Sequence, residues 1–252
     1  MDAAGEIDPV ANMLFDKVYI HHGTDDTTVR PLASEKMAEY YQEFIGDPNN
    51  IVLKNDIAAT HCITTDYDIG EFTRCGVTND KLYIEECGYD SVTAMFTHFF
   101  GSGIHVPNTP GSTPLGTLVK FDQTEFFPSN DAGAASMDDE GYVYVPANCI
   151  DGVMQCKLHI FFHGCSMNFD ILGTDFITDS GLEEVADANN IIIMFPQTIK
   201  QTGGNPFGCF NWFGYNSDLL GGAFAKKDAI QMKGVYDMLA RAAGLPTSKS
   251  EN

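Results

Sequence analysis

The chain has 252 residues, 44% of them hydrophobic, which suits one globular domain with a substantial core. Its 35 acidic and 14 basic residues give a formal net charge of −21, and the basic residues form no stripe. This balance argues against nucleic acid and against an anionic membrane surface as partners. No apolar run approaches the roughly 18 residues that span a bilayer, and the first 18 residues lack both regions of a signal peptide.

The first part of the chain predicts a β-α-β unit. KVYIH (17–21) and IVLK (51–54) predict strands, and LASEKMAEYYQEFIG between them predicts an amphipathic helix that follows Pro31 and ends at Gly46. Two strands joined in this way are expected to be parallel. SVTAMFTHFFG (91–101) predicts a second helix that ends at a glycine.

The second part begins with a long loop and continues with alternating strands and helices. Residues 102–135 are rich in Gly, Pro, Ser and Thr and predict a loop that links two halves of one fold. The elements predicted after it are a hairpin over 142–162, a helix over 177–189, an apolar strand over 190–197 and a terminal helix over 226–244. This alternation predicts an α/β fold with parallel strands.

Seven cysteines lie at positions 62, 75, 87, 149, 156, 165 and 209. Cys149 and Cys156 flank an Asp-Gly turn between two strand-like runs, and Cys75 and Cys87 flank a Thr-Asn-Asp turn in similar style. We predict a disulfide for each pair, and hence an oxidising compartment, with free buried thiols as the alternative. Neither a metal site nor a cofactor is predicted, because no CxxC or His/Cys metal spacing occurs.

Asp26 and His61 are candidates for an acid–base pair. The strand over 17–21 runs into His-Gly, and Asp26 follows at the spacing G-x-x-D-x-x-V, in the kind of strand-end loop where such folds keep their sites. The alternative for Asp26 is an Asx-turn or a helix N-cap. His61 lies in a loop soon after the strand over 51–54, so a carboxylate on its Nδ1–H would leave Nε2 free as a base. The alternative for His61 is an ordinary surface histidine.

HIFFHGC (159–165) is an apolar strand that runs into a tight turn. An HG-type loop after a strand supplies one backbone N–H to the oxyanion hole of α/β-hydrolases, and the N–H of Cys165 is the donor that we assign. We predict that the thiol of Cys165 pairs with Cys209. The alternative is a Cys165 nucleophile, which the acidic surroundings disfavour because they do not favour a thiolate.

NPFGCFNWFGY (205–215) holds the only tryptophan of the chain among several phenylalanines. So aromatic a loop predicts either a satellite core or the wall of an apolar substrate cleft. The candidate substrate-binding residues are Trp212, Asn211 and Phe210. The sequence contains no G-x-S-x-G segment, so the nucleophile of a serine hydrolase is missing while the acid, the base and the oxyanion loop are present.

Together these segments resemble the poly(3-hydroxybutyrate) (PHB) depolymerase family over about residues 17–240. The resemblance lies in HHGTDDTTV, THCITTD, KLHIFFHGC, IIIMFPQT and NPFGCFNWFGY. It implies an α/β-hydrolase, and the order of the segments is similar to the circularly permuted branch of the family. We therefore expect one α/β-hydrolase-like domain over 1–252, with a parallel sheet of permuted strand order that is incomplete and a permutation joint at about 102–135.

The resemblance also implies roles for the candidate residues. It makes Asp26 the triad acid, His61 the base, Cys165 the oxyanion donor and Trp212 part of the aromatic wall of a polymer-binding crevice. The nucleophilic serine would lie upstream of residue 1, so we expect a truncated chain whose complete form is a secreted esterase of short-chain polyesters. Cys62 is the odd cysteine, and we expect its partner in the missing segment.

Two other functions stay open at this point. One is an esterase of another substrate class, such as a feruloyl or acetylxylan esterase, since those relatives share the same arrangement of acid, base and oxyanion loop. The other is a catalytically inactive pseudohydrolase in which the loop around Trp212 serves as a binding surface. The expected ligand is a polyester or a small ester in every case.

Overall fold

The computed structural model describes residues 1–67, 74–78, 81–107, 113–216 and 222–247. They fall into two compact units. Unit 1 comprises residues 1–8, 115–174 and 190–252, and unit 2 comprises residues 9–114 and 175–189. The permutation joint over 102–135 lies partly outside the described residues and stays a prediction.

The described part of the chain contains both strands and helices, interspersed along the sequence as in an α/β fold. The strands are β1 (Val18–Gly23), β2 (Ile51–Ile57), β3 (Ile63–Thr65), β4 (Ile84–Glu86), β5 (Thr117–Asp122), β6 (Glu140–Val145), β7 (Lys157–Ile160) and β8 (Ile191–Phe195). The α-helices are α1 (Pro31–Gln42), α2 (Ser91–Phe100), α3 (Phe169–Leu172), α4 (Asp175–Asp179), α5 (Leu182–Asn189) and α6 (Ile230–Ala242). None of the helices in the described part of the chain is long and apolar enough to cross a membrane.

Unit 2 contains the predicted β-α-β unit. Strands β1 and β2 pair in parallel, with Val18 opposite Ile51, and α1 connects them. Pro31 occupies the first turn of α1, where its missing N–H costs nothing because first-turn N–H groups have no intrahelical partner. Strands β3 and β4 form a second parallel pair, and α2 packs on β1 and β3. The parallel pairing of β1 with β2 places the loops that follow these two strands at the same edge of the pair.

Unit 1 contains a four-stranded sheet in the order β5-β6-β8-β7. The hairpin predicted over 142–162 is wrong, because β8 lies between β6 and β7 and pairs with both. The loop predicted over 102–135 is wrong at Thr117–Asp122, which forms β5 and pairs antiparallel with β6. In both places the pairing partner is distant or follows a Gly/Pro-rich stretch, so local turn signals did not reveal it.

The helix predicted over 177–189 is two helices, α4 and α5. The helix is interrupted at Ser180 and Gly181, because Gly181 adopts a φ of +82°, which a right-handed helix cannot contain. The terminal helix is shorter than predicted and begins at Ile230. A Cβ added to Gly234 of α6 would lie only 2.4 Å from the ring of Phe127. The absence of a side chain at Gly234 thus lets α6 pack tightly on the core of unit 1.

Candidate active site

Asp26 and His61 form a hydrogen-bonded pair at the carboxyl ends of β1 and β2. Oδ2 of Asp26 lies 2.8 Å from Nδ1 of His61, although 35 residues separate them in the chain. A carboxylate accepts and cannot donate, so Nδ1 carries the proton. The lone pair of the neutral imidazole is therefore on Nε2. The sequence placed these two side chains in neighbouring strand-end loops, and the structure brings them together.

The two carboxylate oxygens of Asp26 have separate partners. Oδ1 accepts from the backbone N–H groups of Thr28 at 2.8 Å and Val29 at 2.9 Å, which closes an Asx-turn. The Asx-turn weighed as an alternative for Asp26 is thus present together with the bond to His61. Burial alone would raise the pKa of Asp26, but the hydrogen bonds from His61, Val29 and Thr28 outweigh it and hold that pKa below its ordinary value.

The imidazole of His61 is open on the side away from Asp26. Its side chain is 42% exposed, and its ring meets Tyr83 edge to face at a centroid distance of 6.4 Å. No residue described in unit 2 makes a hydrogen bond to Nε2. This nitrogen is consequently free to take a proton from a reacting group, as a general base must.

Gly23 lets the two loops approach each other. A Cβ at this position would lie 2.0 Å from the carbonyl oxygen of Ala59 and 2.8 Å from that of Thr60. The same approach allows the N–H of Asp25 to donate to the carbonyl of Ala59 at 3.0 Å. The end of β1 is thereby joined to the segment that leads directly into His61.

His22 supports the loop that carries Asp26, a contact that sequence reasoning missed. Its side chain is buried, and Nε2–H donates to the carbonyl of Val29 at 2.8 Å. Nε2 also lies 3.9 Å from Oδ2 of Asp26. The available signal was the alternation of a strand, which points one of two adjacent histidines inward.

The HGC loop lies in unit 1, after β7. Cys165 is exposed and bonded to Cys209, with a Cα–Cα distance of 4.3 Å. No described residue accepts a hydrogen bond from the N–H of Cys165. His163 is buried, its Nδ1–H donates to the carbonyl of Gly164 at 2.8 Å, and burial lowers its pKa to about 4. His163 is therefore a neutral structural residue of the loop.

The aromatic loop of unit 1 divides into a packed part and an exposed part. Phe210 is half-buried and packs on the ring of His163 at a centroid distance of 4.8 Å. The amide oxygen of Asn211 accepts from the N–H groups of Gly214 and Tyr215, so this side chain shapes the loop. Trp212 is 68% exposed, which leaves its ring accessible.

The cysteines pair as the sequence predicts. The three disulfides are Cys75–Cys87, Cys149–Cys156 and Cys165–Cys209. Cys62 is the free cysteine. The predicted turn over 78–80 extends outside the described residues. Cys75, Glu85 and Cys87 are spaced as metal ligands among the described residues, but their two sulfurs already form a disulfide.

The chain is similar to two curated polyhydroxybutyrate depolymerases. It is 32% identical over 240 residues to a poly(3-hydroxybutyrate) depolymerase of Delftia acidovorans, and 33% identical over 233 residues to a polyhydroxybutyrate depolymerase of Talaromyces funiculosus. These alignments cover 95% and 87% of this chain, which spans 45% and 66% of the length of the two relatives. No family model matches the chain.

Solved structures show the same likeness. The crystal structure of a PHB depolymerase from Penicillium funiculosum superposes with a TM-score of 0.84 at 30% identity, covering 97% of this chain and 76% of that one. A serine-to-alanine variant of a PHB depolymerase, complexed with an R3HB trimer, superposes with a TM-score of 0.83 at 30% identity, covering 96% and 75%. The protein thus has an α/β-hydrolase-like fold. The chain belongs to the PHB depolymerase family.

Proposed function

We propose that this chain carries the acid–base pair of a serine esterase that cleaves short-chain polyesters of the PHB type. The observation that supports this most directly is the 2.8 Å hydrogen bond between Oδ2 of Asp26 and Nδ1 of His61. It fixes the tautomer that a general base needs and leaves Nε2 accessible. The names of the relatives support the substrate class. The R3HB trimer bound to a related enzyme supports 3-hydroxybutyrate as the repeating unit of the proposed polyester substrate.

The proposed reaction is acyl transfer in two stages. A serine hydroxyl attacks the ester carbonyl while Nε2 of His61 removes its proton, and the ionised Asp26 stabilises the imidazolium that forms. His61 then gives the proton to the departing alcohol, which leaves an acyl-enzyme. Water attacks that ester with the same histidine as base, releasing the acid and restoring the serine. The low pKa of Asp26 suits this role because the carboxylate must stay ionised throughout.

We assign the N–H of Cys165 as one donor to the oxyanion of the tetrahedral intermediate. The amide is without a partner among the described residues, and the disulfide to Cys209 restrains its loop. One such donor typically lowers the barrier by about 3 kcal/mol. Trp212, with its exposed ring, and the adjacent Phe210 are proposed to contact the apolar part of the polyester. The side chain of Asn211 would act through the shape of the loop.

The proposed nucleophile is a serine outside these 252 residues, because the sequence has no G-x-S-x-G segment. The test compares the 252-residue chain with the full-length product of its gene. Both are assayed for release of 3-hydroxybutyrate from its oligomers and for hydrolysis of p-nitrophenyl butyrate. We expect background rates from the 252-residue chain and turnover from the full-length protein that a serine-reactive phosphonate abolishes. Phosphonate-sensitive turnover by the 252-residue chain would place the nucleophile inside it and overturn the assignment.

The same comparison, extended to feruloyl and acetylxylan esters and to oligomer binding, separates the other functions. A full-length protein that hydrolyses feruloyl or acetylxylan esters faster than 3-hydroxybutyrate oligomers would be an esterase of that other class. A full-length protein that binds oligomers without cleaving them would be a pseudohydrolase. The disulfides support an oxidising compartment for this activity, and we propose that the complete protein is exported.

A further inference from the structure

Glu85 is a buried carboxylate beside the histidine loop. It lies on β4 and is 0% exposed. The described residues include no Lys, Arg or His side chain in an ion pair with it. Burying a carboxylate without a cationic partner is costly unless hydrogen-bond donors surround it. The identity of the donors around Glu85 therefore indicates the role of this buried carboxylate.

Two of the donors belong to Thr60, the residue immediately before His61. The N–H of Thr60 lies 3.2 Å from each carboxylate oxygen, and the Thr60 hydroxyl donates to Oε1. On the other side of His61, burial and then the negative charge of Glu85 raise the pKa of Cys62 above its ordinary value, so this thiol stays protonated.

A third donor to the carboxylate comes from a separate segment of the chain. The N–H of Gly76 donates to Oε2 of Glu85 at 2.7 Å. Gly76 follows Cys75, whose disulfide to Cys87 ties this segment to the end of β4. An ionised carboxylate offers about four lone-pair sites and no proton, so it can satisfy donors from several directions at once. A glutamine offers acceptor sites on a single oxygen and turns N–H groups toward the remaining donors.

We propose that Glu85 is a positioning residue for the general base. By holding both the N–H and the hydroxyl of Thr60, it fixes the backbone immediately before His61 and so aims Nδ1 at Asp26. This inference rests on the proposed function of His61. It predicts that loosening the Glu85 contacts changes the Asp26–His61 bond, rather than only the stability of unit 2.

The test uses variants of Thr60, because Glu85→Gln leaves buried donors unsatisfied and can prevent folding. Thr60→Val removes the hydroxyl donor while keeping the shape and the carboxylate, and Thr60→Ser restores the donor. Thr93→Val is the matched control, since the buried Thr93 hydroxyl lacks a hydrogen-bond partner among the described residues. The readout is the proton NMR resonance of the His61 Nδ1–H in the full-length protein, assigned by its loss in His61→Gln. This readout does not depend on catalytic activity.

We expect Thr60→Val to shift or broaden the Nδ1–H resonance, and Thr60→Ser and Thr93→Val to retain it. In the full-length protein, Thr60→Val should lower kcat more than tenfold with little change in KM, and Thr60→Ser should recover most of that loss. An unchanged resonance in Thr60→Val would overturn the positioning role while leaving the proposed function intact. A full-length wild-type protein that lacks the resonance and loses no activity on Asp26→Asn would overturn both, because no working pair would exist.

Discussion

Gly23 and Ala59 lie so close that a single methyl group on Gly23 would overlap the backbone carbonyl of Ala59, at 2.0 Å from its oxygen. Gly23 ends the strand before the loop of the proposed acid, and Ala59 lies in the loop after β2, two residues before the proposed base. The obstacle is backbone, not the flexible end of a side chain, so a larger residue must push the two loops apart.

Gly23→Ala should therefore separate the proposed acid from the base and destabilise the fold. We expect a loss of about 1–3 kcal/mol in the free energy of unfolding, as for other overpacked sites, together with a weakened His61 Nδ1–H resonance. Chemical denaturation and NMR measure the two effects. Gly103→Ala is the control, because a Cβ there meets nothing within 4 Å. Equal stability of the two variants would contradict the steric account.

Asp26→Asn should remove activity from the full-length protein while preserving the turn. Asparagine can still accept from Thr28 and Val29 through its oxygen, but its amide N–H then faces Nδ1 of His61. The imidazole proton would move to Nε2, which could no longer act as a base, and kcat should fall about 10⁴-fold. Steady-state kinetics measure this, with Asp25→Asn as the neighbouring control. Retention of a tenth or more of the activity would remove Asp26 from the mechanism.

The pKa of Asp26 also predicts how stability depends on pH. Its folded pKa lies below its unfolded value, which is about 3.9. The ionised form thus contributes stability above that value, and the contribution is lost as the pH falls through the folded pKa. The difference in unfolding free energy between wild type and Asp26→Asn should be constant above about pH 5 and shrink below about pH 4. Urea titrations across this range measure it, and a difference that grows on acidification would contradict the sign.

The two disulfides of unit 1 should differ in their effect on stability. Cys165–Cys209 closes a loop with a sequence separation of 44, against 7 for Cys149–Cys156. Loop-closure entropy predicts losses of about 4 and about 2.4 kcal/mol when each pair is replaced by alanine. Urea unfolding of the two double variants compares them directly. A larger loss for the shorter loop would show that strain or packing, not chain entropy, controls the result.

Trp212 should contribute to ligand binding and little to stability. Because it is the only tryptophan, fluorescence excited selectively at the tryptophan band reports on this position alone. We expect titration with an R3HB trimer to change its emission, and Trp212→Ala to weaken binding at least tenfold by calorimetry. The unfolding free energy of that variant should stay within about 0.5 kcal/mol of wild type. Val153→Ala, at another highly exposed apolar position of unit 1, should leave both quantities unchanged.

The sequence predicted the β-α-β unit and the Asp26–His61 pair because both follow from a single strand-helix-strand segment of the chain. An apolar run, an amphipathic helix and a second apolar run determine parallel pairing, and parallel pairing brings the two strand-end loops to one edge. The disulfides Cys75–Cys87 and Cys149–Cys156 could be predicted for the same reason, since each closes a short loop. Each of these features needs only residues that are close in the chain or joined by one crossover.

Other features depend on partners that the sequence does not point to. The hairpin prediction was wrong because β8 inserts between β6 and β7. This strand order is determined by packing of the whole sheet and not by residues near the turn. Glu85 sits in the short run Ile-Glu-Glu, where an acidic residue on a strand suggests a solvent-facing side chain. Its burial becomes visible only once the segment around Thr60, 25 residues earlier, folds over it.

The divided coordination of Asp26 has a consequence for variation at this position. One carboxylate oxygen accepts the hydrogen bonds of a turn, and the other holds an imidazole. Folding and catalysis therefore constrain the identity of this residue independently. A library of all substitutions at residue 26, scored once for soluble yield and once for ester cleavage, would show aspartate favoured in both screens for unrelated reasons. Asparagine would be tolerated by the first screen and rejected by the second, and that one contrast would separate the architectural demand from the chemical one.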